Sequence, residues 1–144
     1  MQAVVIAVAA TLVAKSSAFG QSRALWNLGS MGSCNLGYYP LVYYNGYGCW
    51  CGMGGSGTPV DEIDECCKMH DLCYDRAIGE GKCKDVAAAY FTPYDWQCVN
   101  STVVCTSTSH PCKAAMCNCD KTVVECWKKY PQPTKLARCS STSN

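Results

Sequence analysis

No sign of charge dominates this chain. Residues 1–23 carry Lys15 and Arg23; beyond them, 10 basic and 11 acidic side chains remain, a formal charge of −1. That balance excludes long-range attraction as a general route to nucleic acid or anionic membranes. Long apolar runs are also missing. The longest, AVVIAVAATLVA over 3–14, is too short to span a bilayer comfortably, so no transmembrane helix is expected. There is no internal repeat and no low-complexity tract beyond a short polar tail, SSTSN. Histidine is nearly absent: only His70 and His110 occur in 144 residues. One of the two stands inside CCKMHDLCYD, residues 66–75, among three cysteines and two aspartates.

Cysteine is what the chain has in excess. Fourteen in 144 residues point to a disulfide scaffold in an oxidising compartment, and the length suits one domain. The N-terminus agrees. The 3–14 run, followed by the small residues of KSSAFGQSR, reads as a signal peptide over 1–20, although its first residues, MQ, lack the usual basic charge. The mature protein is therefore expected to be secreted and extracellular. Arg23, just before ALWNLG, is either a propeptide cleavage site closing residues 21–23 or an ordinary surface arginine. Residues 24–144 form the domain.

TPVDEIDECCKMHDLCYDRAIGEG predicts a helix. Thr58 is its expected cap, Pro59 its first residue, and Asp61, Glu62 and Asp64 its helix-end acids; Gly79 and Gly81 end it. The acids lack the alternating ligands and central glycine of an EF-hand. HPCKAAMCNCDKTVVECWKKYPQP predicts a second helix, with Lys128 and Lys129 at its C-terminal end and Pro131 blocking continuation. DWQCVNSTVVC predicts a hairpin with Asn100–Ser101 at the tip. Asn100-Ser101-Thr102 is also a glycosylation sequon.

The two helices share a cysteine spacing. Cys66 and Cys73 are seven residues apart, as are Cys119 and Cys126, so each pair lies on one helical face. Run antiparallel, the helices can be stapled by Cys66–Cys126 and Cys73–Cys119. His70 then stands within about 3 Å of axial rise of Asp120. A parallel arrangement would offset them by about three residues. Zinc binding by this cluster is disfavoured, because oxidised cysteines are poor ligands. A purely structural histidine is the serious alternative to a general base. The base needs a partner that fixes its tautomer, and Asp120 can be that partner. GMGGSG, residues 52–57, matches a dinucleotide loop literally, but it lies in a cysteine-dense secreted segment rather than a βαβ unit. A glycine-rich turn also lets backbone carbonyls converge on one centre, and Asp71 can add a carboxylate. That set suits calcium.

YGCWCGMGGSGTPVDEIDECCKMHDLCYD and CNCD closely resemble the secreted phospholipases A2, of the pancreatic type, over Ala24 to Cys139. The resemblance implies a mainly α, disulfide-rich fold: two antiparallel disulfide-linked helices, an N-terminal helix, a calcium loop and a small β-hairpin. It implies calcium-dependent hydrolysis of the sn-2 ester of glycerophospholipids, at the surface of phospholipid aggregates or membranes. His70 matches the catalytic base, Asp120 the carboxylate that orients it, and Tyr74 and Tyr94 the tyrosines that bond that carboxylate. Asp71 and the carbonyls of Trp50, Gly52 and Gly54 match the calcium ligands, with tryptophan at 50 where the family usually has tyrosine. The implied pairing is Cys34–Cys98, Cys49–Cys139, Cys51–Cys67, Cys66–Cys126, Cys73–Cys119, Cys83–Cys112 and Cys105–Cys117.

The first helix departs from the family. Gly29, Ser30, Gly32 and Ser33 stand where stronger helix formers are usual, and each glycine costs about 1 kcal/mol relative to alanine. Leu25, Trp26, Leu28 and Met31 remain to form a lipid-binding rim. Val123, Val124 and Glu125 are also bulkier or more polar than usual. A non-enzymatic binding protein or toxin on the same scaffold is the alternative to an enzyme.

Overall fold

The computed structural model of the protein describes residues 23–140, with the side chains of Arg23 and Ala24 excepted. The signal peptide expected over 1–20 and the first two residues of the possible propeptide over 21–23 lie outside the described residues. From the N-terminus the elements are α1 (Arg23–Leu36), α2 (Leu41–Tyr44), α3 (Glu62–Gly79), α4 (Val86–Phe91), β1 (Trp96–Val99), β2 (Thr102–Cys105) and α5 (Pro111–Trp127). No described helix is long and apolar enough to cross a membrane.

Helices α3 and α5 form the spine. They run antiparallel, joined by Cys66–Cys126 near one end and Cys73–Cys119 nearer the other. Five further disulfides attach the rest: Cys34–Cys98 ties α1 to β1, Cys105–Cys117 ties β2 to α5, and Cys83–Cys112 ties the loop before α4 to the start of α5. Cys51–Cys67 and Cys49–Cys139 hold the glycine-rich loop. The seven pairs are those that the resemblance implies, and no described cysteine is free. Met31, Tyr44, Val103, Met116, Val123 and Val124 fill the space between spine, α1 and hairpin.

The ends of α3 differ from the expectation. It begins at Glu62, and its cap is Asp61, whose carboxylate accepts from the Asp64 N–H at 3.0 Å and from the Tyr47 hydroxyl. Thr58 and Pro59 stay in the preceding loop because the Val60 N–H is taken by the Asp64 side chain at 2.9 Å. At the other end Gly81 takes the left-handed conformation, φ 71°, that closes the last turn. Helix α5 carries Pro111 in its first turn, and His110 caps it by accepting the Lys113 N–H at 3.4 Å. The second histidine is thereby occupied structurally. The hairpin pairs Trp96 with Cys105 and Val99 with Thr102, leaving Asn100 and Ser101 as a two-residue tip with φ of 49° and 58°.

Helix α1 is intact over 14 residues despite its glycines. The glycines sit where the chain returns across the helix. A methyl group at Gly29 would overlap the ring of Tyr39, and one at Gly32 would overlap Pro40. Their weakness as helix formers is the consequence of a close backbone approach that no larger residue allows. Gly32→Ala should therefore destabilise the protein by about 1–3 kcal/mol, against the gain of about 1 kcal/mol that helix propensity alone predicts. Urea unfolding of the two proteins checks the sign.

Candidate active site

Four elements bring the site together. The middle of α3 supplies His70, Asp71 and Tyr74; α5 supplies Asp120; the turn ahead of β1 supplies Tyr94; the loop over 47–60 closes the front. Asp120 has no exposure at all. A carboxylate there must have every acceptor position met by the protein. His70 Nε2 lies 2.6 Å from its Oδ1, the Tyr74 hydroxyl donates to the same oxygen at 2.7 Å, and the Tyr94 hydroxyl donates to Oδ2. Both phenols are held well above their usual pKa, first by burial and then by the adjoining charge of Asp120, so they remain donors. With Asp120 accepting from Nε2–H, the histidine tautomer is set and Nδ1 is left as the free acceptor. Nδ1 is on the Asp71 side of the ring, 4.0 Å from Asp71 Oδ1.

Asp71 has the opposite environment. Its Oδ2 is buried and has no hydrogen-bond partner among the described residues. Burial pushes its carboxyl up to about 6, with Asp75 adding to the rise and the neighbouring His70 and the Gly55 N–H opposing it. An ionised carboxylate left bare beside a loop of backbone oxygens fits a hard cation. Among the described residues no three His, Cys, Asp or Glu side chains are grouped to hold a metal. A cation here would take one carboxylate and fill its remaining positions with carbonyls, a donor set suited to calcium and unsuited to zinc.

The loop that would supply those carbonyls is held by a residue that sequence reasoning took for a helix-end charge. Asp64 is fully buried. Its oxygens accept the N–H groups of Cys49 and Trp50, each at 2.8 Å, and of Val60. Glycine at 48 is required, since a Cβ there would overlap the Asp64 carboxylate. The available signal was positional: Asp64, Cys67, Asp71 and Tyr74 recur at helical spacing and share one stripe of α3. Farther along the loop, Gly54 takes φ 76°. The Gly52 N–H donates to the Trp50 carbonyl at 2.9 Å, so two groups that the resemblance assigns to the site are bonded to each other. The Trp50 indole donates to the Gly57 carbonyl at 3.1 Å.

Behind the loop, a cavity of about 260 Å³ runs between α1, α2 and the spine to His70 and Asp71. Leu25, Leu28, Leu41, Tyr44, Met53 and Trp127 give it apolar walls; Tyr44 and Trp127 stack with ring centroids 4.3 Å apart. Tyr90, unremarked in the sequence, lines it beside the histidine and packs edge-on against Tyr74. The four residues expected at a lipid-binding rim separate here. Leu25 and Trp26 are exposed, at 37% and 50%. Leu28 is buried in the cavity wall. Met31 is in the core, where its sulfur packs 3.7 Å from the Tyr94 hydroxyl oxygen. The helical period turns positions 28 and 31 inward, so neither belongs to an exposed rim.

A family model described as Phospholipase A2 matches residues 25–137. A phospholipase A2 of Bos taurus is 44% identical over 112 residues, covering 76% of this chain and 77% of that protein. One of Oryctolagus cuniculus is 43% identical over 129 residues, covering 88% and 90%. One of Ovis aries is 42% identical over 110 residues, covering 75% and 89%.

A carboxyl whose pKa is higher in the folded state favours folding while protonated and opposes it once ionised. Asp71 therefore lowers the stability of the metal-free protein as pH rises from the usual carboxylate range through about 6. With chelator present at about pH 8, Asp71→Asn should melt a few degrees above the unaltered protein, at roughly 2–4 °C per kcal/mol. At about pH 4 the two curves should coincide, because the native carboxyl is then protonated. Calorimetric scans across that range test the assignment; a variant less stable at both ends contradicts it.

Proposed function

The chain belongs to the phospholipase A2 family, and we propose that it is a secreted, calcium-dependent enzyme cleaving the sn-2 ester of glycerophospholipids to a fatty acid and a lysophospholipid. The observation that carries this reading is the buried carboxylate behind His70. Asp120 bonds Nε2 at 2.6 Å and leaves Nδ1 beside Asp71. A histidine with one nitrogen fixed by a buried carboxylate and the other free to accept is what a general base requires.

His70 Nδ1 accepts a proton from water, and the water oxygen forms its bond to the ester carbonyl carbon. Asp120, held by Tyr74 and Tyr94, keeps the imidazole in the tautomer that can accept and stabilises it once it is charged. The proton then passes to the departing sn-2 oxygen as the ester C–O bond breaks. No covalent acyl-enzyme forms. Asp71 and the carbonyls of Trp50, Gly52 and Gly54 would hold the cation, which when bound polarises the ester carbonyl and offsets developing negative charge. The Gly52 N–H is the backbone donor for the oxyanion, and to serve it must exchange its bond to Trp50. The apolar cavity accommodates an acyl chain, and Leu25 and Trp26 meet the lipid surface.

Release of sn-2-labelled fatty acid from phospholipid vesicles, measured with calcium and again with chelator, tests the whole assignment. Hydrolysis should require calcium, and Asp71→Lys should abolish both cation binding and turnover while the disulfide frame stays folded. Chelator-resistant release, or calcium affinity unchanged by Asp71→Lys on calorimetric titration, contradicts the proposal.

Cleavage after Arg23 completes the reading: residues 1–20 direct secretion and 21–23 are removed, freeing the amine of Ala24 to order α1. Arg23→Gln should then retain hydrolysis of monomeric short-chain lipid and lose most vesicle hydrolysis, because the dyad and loop lie elsewhere. The two rates, compared on secreted protein of known N-terminal sequence, decide it. Equal vesicle rates from the uncut chain would leave Arg23 an ordinary surface residue.

A further inference from the structure

Asn100-Ser101-Thr102 is the motif of this sequence that catalysis leaves unused. It forms the tip of the β1–β2 hairpin, where Asn100 and Ser101 are both exposed. The backbone of Asn100 is left-handed, φ 49°, a conformation asparagine tolerates. The turn does not use the side chain. Among the described residues the Asn100 carboxamide makes no hydrogen bond, and only its backbone carbonyl is engaged, by the Thr102 hydroxyl at 3.5 Å. The amide nitrogen is therefore free and points off a loop tip.

The hairpin has two unlike faces. Trp96, Cys98, Val103 and Cys105 share the face tied to the protein by Cys34–Cys98 and Cys105–Cys117, and Val103 is fully buried. Gln97, Val99, Thr102 and Val104 share the other face, and all four are exposed. Val99 and Val104 are diagonal neighbours there, 47% and 40% exposed. The sheet has only these two strands among the described residues, so each strand has an open edge. Two exposed valines on a face between two strand edges invite pairing between copies.

We propose that Asn100 carries an N-linked glycan that covers this exposed face of the hairpin. The proposal rests on the secretion reading above, which brings the chain to the donor, a polyprenyl-pyrophosphate-linked oligosaccharide. Asn100 Nδ2 gives up one proton and bonds the anomeric carbon of that donor; the bond from that carbon to the phosphate oxygen breaks, and the pyrophosphate leaves with the electron pair. The glycan stands clear of the catalytic cavity. Asn35 Nδ2 donates to the Ser101 carbonyl at 3.1 Å, fixing the tip against the far end of α1. Leu25, at the cavity, is ten residues back along that helix, a separation of about 15 Å.

The test uses the full chain expressed in a eukaryotic secretory cell in two versions, one with its own residues 1–20 and one with an established signal sequence in their place. Intact mass and peptide sequencing, before and after a peptide-N-glycosidase that leaves aspartate at 100, locate the modification. One glycan on Asn100 is expected in the unaltered protein and in Thr102→Ser, and none in Thr102→Ala. The unglycosylated variant should hydrolyse vesicles within about twofold of the unaltered protein and self-associate more strongly by light scattering. An unmodified Asn100 in protein secreted from both versions overturns the proposal. A glycan found only with the foreign signal sinks the secretion reading and leaves the site standing. Equal scattering with and without the glycan overturns the covering role, and a vesicle rate changed more than about tenfold by its loss overturns the placement away from the lipid face.

Discussion

Asp120 is a carboxylate with no solvent exposure, and the middle of the molecule is organised around meeting its needs. A buried carboxylate missing any of its donors is costly, whereas one that is fully bonded can be held rigidly. Its three donors come from two separated parts of the chain: His70 and Tyr74 on α3, and Tyr94 in the turn before β1. Those parts stay in register because the two spine disulfides fix α3 against α5 on either side of the contact. Covalent staples thus do for the dyad what a large core does in a bigger enzyme. They remove the freedom of two helices to slide, and sliding by one residue would move His70 by about 1.5 Å from its partner.

Asp71 is next to His70 in sequence and differs from Asp120 in the one respect that matters, an oxygen left unbonded. On the two sides of His70 the fold closes one carboxylate with three donors and leaves another open beside the glycine-rich loop. The closed acid fixes the His70 ring, and the open one keeps an oxygen without a partner among the described residues. A third acid, Asp64, serves neither chemistry directly. By gathering the N–H groups of Cys49, Trp50 and Val60 it fixes the backbone of that loop against α3.

The spine and the dyad were legible in the sequence because both follow from helical spacing. Seven-residue cysteine intervals and the distance from Cys119 to Asp120 translate directly into geometry. The hairpin was legible from its turn residues. What could not be read was where side chains from remote segments would meet. Asp61, Glu62 and Asp64 look alike as acids at a helix start, and only the folded loop distinguishes a cap, an exposed charge and a buried anchor. Gly29 and Gly32 look like defects until Tyr39 and Pro40 are seen lying across them. Leu28 and Met31 look like rim residues until the turn of α1 shows which way they point. In each case the missing information was a contact distant in the chain.

Disulfides also explain how so small a protein tolerates its outer surface. Trp26, Val42, Met53 and Leu136 are each at least half exposed, apolar area that a compact fold of this size ordinarily needs inside. The glycine-rich loop adds backbone freedom that must be lost on folding. Seven cross-links offset both by restricting the unfolded chain. A domain stabilised in this way can leave apolar side chains around a cavity mouth and keep its hydrolytic loop rich in glycine, because neither is required to hold the fold together. The same cross-links anchor the hairpin at its base while leaving Val99 and Val104 exposed on its outer face, so the frame that lets apolar side chains stand around the cavity mouth also leaves a second apolar pair uncovered.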